Sequence, residues 1–440
     1  MKDVAAGANE ERRDPLKTAQ ARKTAISGFI GSALEYYDFF VYGSAAALVF
    51  GDLFFPTGET SVLLSIATLG LAYLARPAGA IFWGHVGDKY GRKRALVATI
   101  GLMGTVTFLI GCLPTYDQVG ILAPIILVLL RLLQGISAGG ESPGSASLTI
   151  EHAPEDRRGF FASFTMGGIM LGTVLSSLVF LPVASLPDED LHSWGWRVPF
   201  WASAVVTVVA LFVRRTLEES EVFEETRAAA GESPEEAPLT EIARSHIRPV
   251  VRSILFATFC MINTMVNVFG LSYGIATGGI SRASMITTIT LANLLAVLTT
   301  PLYGHLSDRL GRRPVIVVGL LGAAIMSFAF FYALEQGSAS GALLTGIVLI
   351  GIFYSAPNSV GPSYFPEQFP ARVRYSGMSI GLMTGLVVAG FTPAIAESFE
   401  PNTSWLVAAS LCASFAAISG IAVWLGPETS RLPTRQLGLQ

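Results

Sequence analysis

Long apolar runs separated by short polar segments occupy most of this chain. Because about 20 apolar residues suffice to cross a bilayer as a helix, each run is a candidate membrane span. The runs lie near 25–50, 61–84, 95–114, 120–150, 159–183, 198–214, 251–277, 283–305, 314–334, 341–365, 374–398 and 403–425. The pattern predicts an all-α membrane protein with twelve transmembrane helices.

The polar segments divide the chain into five parts. We predict an N-terminal tail, a first six-helix bundle, a central loop, a second six-helix bundle and a C-terminal tail, at 1–24, 25–214, 215–250, 251–426 and 427–440. An even number of spans places both tails on one side of the membrane.

The distribution of basic residues indicates which side that is. Of 29 Lys and Arg, only Arg197 and Arg282 fall in the loops opposite the tails, and only Arg76 and Arg131 fall within spans away from the span ends, which leaves 25 on the tail side. The positive-inside rule therefore places both termini and the central loop in the cytoplasm.

Composition excludes several classes of protein. The chain is 51% hydrophobic and 14% charged, whereas soluble domains carry about 25% charged residues. The three cysteines are far apart, and neither a Walker A loop nor a cluster with metal-ligand spacing is present in the sequence. We expect no cofactor, no metal, no ATP-driven pumping and no nucleic-acid partner. A membrane-embedded enzyme would need catalytic groups or a metal site, and the sequence offers neither.

Two sequence features recur in the second half of the chain. The segment GHVGDKYGRKR begins at Gly84, and GHLSDRLGRRP begins at Gly304, 220 residues later. A Glu–Arg pair recurs as well: Glu151 and Arg158 correspond to Glu367 and Arg374, each 216 residues later. Two similar six-helix bundles joined by a charged loop imply pseudo-symmetric repeats packed across a central cavity, an architecture suited to alternating access.

The repeated acids and arginines predict a cytoplasmic gate. Aspartates that end the second and eighth spans should face the N-termini of the fifth and eleventh spans, where the helix dipole and free N–H groups stabilise a carboxylate. The arginines after them should reach the acids that end the fourth and tenth spans. The predicted gate residues are Asp88, Arg92, Glu151, Arg158, Asp308, Arg312, Glu367 and Arg374. Alternatively, the basic residues only enforce topology.

Both loop segments match the G-x-x-x-D-[RK]-x-G-R-[RK]-x signature of the major facilitator superfamily. Further segments resemble its metabolite:proton symporters: ALEYYDFFVYGSAAALVF, RLLQGISAGGESPGSASLTIEHAPEDRRG, SWGWRVPFWAS and YFPEQFPARVRYSGMSIG. The resemblance extends from about 25 to 426, and LHSWGWRVPF, LEESEVFEE and RYSGMSIG resemble the shikimate-transporter-like branch. One departure is ESPGSA, where that branch has a Trp-Gly pair. The resemblance implies the major facilitator fold and a substrate among carboxylates, shikimate-like acids and betaine- or proline-type osmolytes.

Five ionisable residues lie within spans and away from the span ends, all in the first half: Glu35, Asp38, Arg76, Arg131 and Glu141. Each costs roughly 2.5–3.5 kcal/mol at the bilayer centre, so they require partners or a cavity. From their depth in the membrane we pair Asp38 with Arg131, and Glu35 or Glu141 with Arg76. The resemblance also implies an acid in the first span opposite an arginine in the fourth. We interpret the group as a proton-coupling site; the alternative is a set of ion pairs that only fix helix packing.

Polar uncharged side chains predict the substrate cavity. Neutral amides and aromatic rings suit the recognition of hydroxyl or carboxylate groups. The candidates are Tyr37, Tyr42, Gln134, Asn263, Asn267, Asn293, Tyr354 and Asn358. The alternative for each is a hydrogen bond between neighbouring helices.

Together these observations predict a secondary active transporter of the bacterial inner membrane. Its partners would be a small-molecule substrate, protons and the lipid bilayer, and it would act as a monomer without catalytic residues. We expect proton-coupled symport of a small organic metabolite, most plausibly a carboxylic acid. The alternatives are a passive facilitator of the same fold and a symporter of a zwitterionic osmolyte such as betaine or proline.

Overall fold

A computed structural model of the chain describes most of the sequence. The described residues are 15–55, 61–90, 92–139, 153–215, 244–370, 373–399, 401–433 and 436–438, with isolated positions 146, 149, 150 and 242. Throughout these ranges the backbone forms helices and connecting turns, without β-strands.

Twelve long helices run through the described ranges, and each overlaps one of the predicted apolar runs. They are α1 (Pro15–Leu48), α2 (Ser61–Tyr90), α3 (Arg92–Gly111), α4 (Leu122–Ala138), α5 (Arg158–Ala184), α6 (Arg197–Arg215), α7 (Ile247–Ala276), α8 (Arg282–Leu310), α9 (Arg312–Glu335), α10 (Ala339–Glu367), α11 (Arg374–Glu397) and α12 (Pro401–Trp424). Eight of them are long and apolar enough to cross a membrane, and α3 and α4 carry shorter apolar stretches. The predicted all-α, twelve-helix fold is confirmed.

Several helices extend beyond the apolar runs. The first begins at Pro15, inside the segment predicted as a tail, and α2 and α8 continue to Tyr90 and Leu310. Hydropathy detects only the part of a helix that suits lipid, whereas backbone hydrogen bonding continues into polar sequence. The apolar runs therefore placed the helix centres correctly but missed the polar ends of these three helices.

Two helices of the second half are irregular near their middles. A 3-10 turn (Thr258–Cys260) and a π-helical turn (Met265–Phe269) interrupt α7, and a π-helical segment (Ile347–Tyr354) interrupts α10. Such interruptions are frequent at functional sites because they alter the direction of side chains along the helix.

The two halves meet along several pairs of helices, which include α2 with α11, α5 with α8, α5 with α10 and α1 with α7. In the first pair, Gly70 lies against the ring of Phe391 and Gly390 lies against the ring of Tyr73. Each half thus presents a glycine to an aromatic ring of the other, which brings the two bundles into close contact at this seam.

Within the first half, glycines allow α4 to approach α2 closely. A Cβ atom added at Gly135 would lie 2.1 Å from the carbonyl oxygen of Ala72, and one added at Gly139 would lie 2.2 Å from that of Arg76. Only a residue without a side chain fits these contacts. The close packing of α4 on α2 therefore depends on glycine at both positions.

We expect Gly135→Ala to force α4 away from α2, because its methyl group would overlap the Ala72 backbone. The overlap should cost about 1–3 kcal/mol and lower the melting temperature of the purified protein. The control is Gly101→Ala in α3, where an added Cβ meets nothing within 4 Å. Equal melting temperatures for the two variants would contradict the close approach.

Candidate functional site

Arg76 is held between a carboxylate and a wall of aromatic rings. Its Nη2 atom lies 3.7 Å from Oε1 of Glu35, and both side chains are buried. Its guanidinium group also lies 4.6 Å from the centre of the Tyr73 ring and 5.8 Å from that of Tyr36. Cation–π contacts of this kind stabilise a desolvated guanidinium group. The structure therefore brings together Glu35 and Arg76, as predicted, while Glu141 lies outside the described residues.

Asp38 and Arg131 are not paired, contrary to our prediction. The ion pairs of the described residues do not include one between them. Arg131 instead donates a hydrogen bond to Gln134, whose Nε2 donates to the Thr107 hydroxyl at 2.8 Å. The guanidinium group of Arg131 also lies 3.9 Å from the centre of the Tyr42 ring. Membrane depth placed the two residues at the same level, but Gln134 occupies the position next to the arginine.

Asp38 faces α3 rather than α4. The hydroxyl of Thr107 lies beside its carboxyl group, its side chain is 3% exposed, and its Oδ1 atom is buried without a hydrogen-bond partner. A buried carboxyl oxygen that lacks a partner is costly in an apolar environment. This group can therefore change its protonation when its surroundings gain or lose water.

A central cavity lies between the two halves. Its wall comprises Tyr36, Phe40, Tyr73, Met166, Ile169, Met170, Cys260, Asn263, Thr264, Tyr354, Asn358, Leu382 and Leu386. None of these residues carries a full charge, but hydroxyl, amide and thiol groups lie among apolar and aromatic side chains. The Nδ2 atom of Asn358 is buried and has no hydrogen-bond partner, so it is a free donor at the wall. Such a lining suits a small molecule with several hydrogen-bonding groups and an apolar face.

Three of the predicted cavity residues line this cavity: Asn263, Tyr354 and Asn358. The predicted Asn267 and Asn293 lie behind the wall and bond to one another, with 2.9 Å from Nδ2 of Asn293 to Oδ1 of Asn267. Asn293 also accepts a 3.5 Å hydrogen bond from Asn263. The three asparagines thus form a hydrogen-bonded group. Two of them, Asn263 and Asn267, lie on α7, and only Asn263 reaches the cavity.

The other three predicted residues do not line this cavity in the described structure. The Tyr37 hydroxyl donates to the carbonyl oxygen of Pro199, the Tyr42 hydroxyl bonds to Thr68, and Gln134 belongs to the chain described above. For the two tyrosines the reason is the rotation of α1, since the face that carries its acids turns into the first bundle.

Sequence reasoning missed the residues on the opposite face of α1. Tyr36 and Phe40 line the cavity, as does Tyr73 of α2, which precedes Arg76 by one turn. The available signal was their spacing, because residues four apart on a helix share one face. The polar wall residues Cys260 and Thr264 follow the same spacing on α7.

At one end of the bundles, Asp308 of α8 caps α5 of the other half. Its two carboxyl oxygens accept hydrogen bonds from the backbone N–H groups of Gly159 and Phe160, at 2.8 and 2.9 Å. Arg312 Nη1 lies 2.7 Å from the same carboxylate. A carboxylate at a helix N-terminus satisfies N–H groups that have no partner within the helix. The predicted contact between this acid and the fifth span is therefore present and joins the two halves.

Glu367 forms the second contact of this gate. Its Oε1 atom lies 3.1 Å from Nη2 of Arg312 and 3.3 Å from Nε of Arg158, and all three side chains are buried. Arg158 belongs to the first half, so this ion pair also crosses between the halves. Arg374 donates to the carbonyl oxygen of Phe369 at 3.3 Å. The side chains of Asp88, Arg92 and Glu151 lie outside the described residues.

The segment after α12 belongs to the gate, although we predicted it as a tail. We name residues 426–433 the C-terminal strap. Arg158 Nη2 donates to the carbonyl oxygens of Thr429 (3.2 Å) and Leu432 (2.9 Å). The Thr429 hydroxyl donates to Glu367 at 2.5 Å. The strap thus supplies acceptors to an arginine of the first half and a donor to an acid of the second.

Glu428 of the strap caps the N-terminus of α9. Its carboxyl oxygens accept from the backbone N–H groups of Arg312 and Arg313 at 2.9 and 3.0 Å. Burial raises the pKa of this carboxyl, but these N–H donors and that of Ser430 outweigh burial and hold the pKa below its usual value. The available signal in the sequence was an acid directly after the last span, in the segment GPETS.

Contacts between the halves also exist at the opposite end. Asp188, in the loop between α5 and α6, pairs with Arg282 at the start of α8. A hydrogen bond and the charge of Arg282 lower the pKa of the Asp188 carboxyl. His192 Nε2 lies 3.3 Å from Oδ2 of Asp52 in the same region. The Asp188–Arg282 pair thus joins the halves at this end, whereas the His192–Asp52 contact lies within the first half.

Comparisons with known proteins agree with this geometry. The sequence model of the sugar (and other) transporter family matches residues 24–437. The shikimate transporter of Escherichia coli (strain K12) is 38% identical over 389 residues, covering 87% of this chain and 89% of that protein. The inner membrane metabolite transport protein YhjE of the same organism is 34% identical over 435 residues, covering 96% and 97%.

Among solved structures, the proton:xylose symporter XylE of E. coli is similar in fold. Its complex with 6-bromo-6-deoxy-D-glucose superposes with a TM-score of 0.74 at 18% identity, covering 96% of this chain and 99% of that chain. At this identity the similarity shows the fold alone, which is the twelve-helix fold described above.

We expect Arg158→Ala to open the gate, because it removes the ion pair with Glu367 and both bonds to the strap. The native thiol of Cys260 in the cavity wall reports this opening. In a Cys112→Ser, Cys412→Ser background, a membrane-impermeant maleimide added at the gate side should modify Cys260 about five- to tenfold faster, equivalent to about 1–1.4 kcal/mol. The control is Arg157→Ala, which removes an exposed neighbouring charge. Equal rates in the two variants would show that Arg158 does not hold the gate closed.

Proposed function

The chain belongs to the sugar (and other) transporter family of the major facilitator superfamily, and from this membership we propose that it is a proton-coupled symporter of a small organic acid. It is a multi-pass membrane transporter and not an enzyme. The observation that carries the proton coupling is Asp38, a buried carboxyl group with an unpartnered oxygen in the first bundle. A passive facilitator needs no such group.

Contacts between the halves at both ends support alternating access. Asp308 and Glu367 join the halves at the gate, and Arg282 joins them at the other end. Each set is made of hydrogen bonds and ion pairs, which can break on one side while the other stays closed. We propose that the substrate occupies the cavity between them, and that the gate faces the cytoplasm of a bacterial cell, with both termini there and the protein acting as a monomer.

Arg76 offers a route for coupling between proton and substrate. On one side it pairs with Glu35, next to Asp38 on the same face of α1, and on the other it packs against Tyr36 and Tyr73. Those two rings line the cavity. A substrate that presses on the rings changes the position of the guanidinium group and so the field at the acids, and protonation of an acid acts in the reverse direction.

The cavity wall favours a polar organic acid. Amide and hydroxyl groups of Asn263, Asn358 and Tyr354 are suited to hydroxyl and carboxylate groups, and Arg76 provides a positive charge directly behind two wall residues. A relative at 38% identity is named a shikimate transporter. A zwitterionic osmolyte is the second candidate, because the aromatic rings around the cavity could also hold a quaternary ammonium group.

We expect Asp38→Asn to abolish uphill uptake while exchange of labelled for unlabelled substrate continues. Asparagine has the size and hydrogen bonding of a protonated acid but cannot release a proton. A gradient of one pH unit, worth about 1.4 kcal/mol, should then drive no accumulation in proteoliposomes. The control is Asp52→Asn, an exposed acid of the same half. Accumulation by Asp38→Asn in response to external acid would exclude Asp38 as the proton site.

The charge of the substrate can be measured by the response of uptake to membrane potential. One proton that enters with a monoanion is electroneutral, whereas one that enters with a zwitterion carries a net charge, worth about 2.3 kcal/mol per 100 mV. We expect labelled shikimate, but not betaine or proline, to accumulate in proteoliposomes with a pH gradient. Its uptake should be the same at two clamped potentials. Accumulation of betaine driven by potential at equal pH would identify the zwitterionic alternative.

A further inference from the structure

A second, smaller pocket lies on the other side of α1 from the central cavity. It has a volume of about 20 Å³ and lies between α1, α3 and α6. One water molecule requires about 10–15 Å³ of such volume, so the pocket is large enough for one. Its polar groups come from Glu35, Asp38 and Thr207, and its apolar wall includes Met103 and Val206. None of these residues lines the central cavity.

Helix geometry explains this separation. Successive residues of an α-helix are turned by about 100°, so Glu35 and Asp38 share one face of α1, and Tyr36 and Phe40 share the opposite face. The acids therefore face the small pocket, and the aromatic residues face the substrate cavity. Substrate and proton sites lie on two sides of one helix.

One hydrogen-bond acceptor at the pocket, a carboxyl oxygen of Asp38, receives no hydrogen bond from the protein. Oδ1 of Asp38 is buried and has no hydrogen-bond partner, although the residue lines the pocket. The Thr207 hydroxyl donates its hydrogen to the carbonyl oxygen of Ser203 at 2.7 Å, so its lone pairs remain available as an acceptor. Glu35 provides a third polar group. A buried water molecule usually makes about three hydrogen bonds, and the pocket offers three polar partners.

Close packing of α3 against α6 places Thr207 at the pocket. A Cβ atom at Gly104 would lie 1.7 Å from the Thr207 Oγ1 atom. The absence of a side chain at position 104 is therefore required for the hydroxyl to occupy its present position.

We propose that a water molecule in this pocket links the carboxyl groups of Asp38 and Glu35, that the Thr207 hydroxyl positions it, and that the coupled proton passes from Asp38 to Glu35 through it. In this step the O–H of Asp38 gives its proton to the water as the water gives one of its own to a Glu35 oxygen. Asp38 becomes a carboxylate, Glu35 becomes a neutral acid, and the water is unchanged.

The transfer has a consequence for Arg76. Once Glu35 is neutral, its ion pair with Arg76 is lost, and among the described residues the guanidinium group keeps its aromatic neighbours. Two of those neighbours are the cavity wall residues Tyr36 and Tyr73. In the described part of the first bundle, Arg131 of α4 is bonded to Gln134, and α3 contributes the neutral Thr107. Arg76 is therefore the cation that responds to the proton.

The proposed relay rests on the proposed function, and an infrared measurement tests the relay independently of transport. The pH-difference spectrum of the purified full-length protein, without substrate, should contain a carboxylic acid C=O band that Asp38→Asn removes. Thr207→Val keeps the shape of the side chain and removes the acceptor, so it should shift this band, whereas Thr207→Ser should not. Val206→Leu, which fills the pocket from its apolar wall, should shift the band in the same way.

Transport provides the second measurement, with labelled shikimate as the probe. Thr207→Val should lower proton-driven uptake by about tenfold or more, while exchange stays within about twofold of the unaltered protein. An unshifted band in both Thr207→Val and Val206→Leu, or an equal loss of uptake and exchange, would overturn the relay. Uphill uptake by Asp38→Asn would exclude Asp38 as the proton site and the relay with it. Failure of the unaltered protein to accumulate substrate in response to a pH gradient would overturn the proposed function itself, whatever the spectra of the Thr207 variants.

Discussion

A guanidinium group inside a hydrocarbon layer must be surrounded by compensating groups, and Arg76 and Arg131 impose this requirement on the first half. Arg76 needs Glu35 on α1 and the rings of α1 and α2, and its own backbone carbonyl is in contact with Gly139 of α4. Arg131 needs the Tyr42 ring and the amide of Gln134. Because a buried charge without such partners is strongly unfavourable, the relative positions of α1, α2 and α4 are tied to these two side chains.

The two halves share a fold but differ inside. The interior of the first contains paired and unpaired ionisable groups, whereas the second contributes amides, with Asn263, Asn267 and Asn293 bonded in a group. The repeated features remain at the gate, where Asp308 and Glu367 keep the positions that the internal repeat predicts. The buried charges of the interior and the bonded amides thus lie in different halves.

Sequence reasoning correctly predicted the features that can be read from each helix by itself, namely its position in the chain and the depth of its residues in the membrane. The twelve spans follow from hydropathy, and Glu35 lies beside Arg76 as their membrane depth predicted. Depth did not predict the partner of Asp38, because the direction of a side chain around the helix axis depends on how that helix is rotated against its neighbours. The same unknown rotation placed Tyr37 in the cavity instead of Tyr36. Hydropathy also could not detect the C-terminal strap, because its contacts join residues far apart in the sequence.

The strap joins the start of α5 to the segment after α12, two parts of the chain that are synthesised at different times. Arg158 enters the membrane region when α5 is made, but its acceptors at Thr429 and Leu432 follow the last helix. During translation the first bundle is therefore complete as a set of helices while its gate arginine still lacks these carbonyl groups. The bonds between Arg158 and the strap form only after α12 and the segment behind it have been synthesised. The contacts of Asp308 and Glu367 across the halves involve earlier residues, so the strap adds the last contacts of the gate.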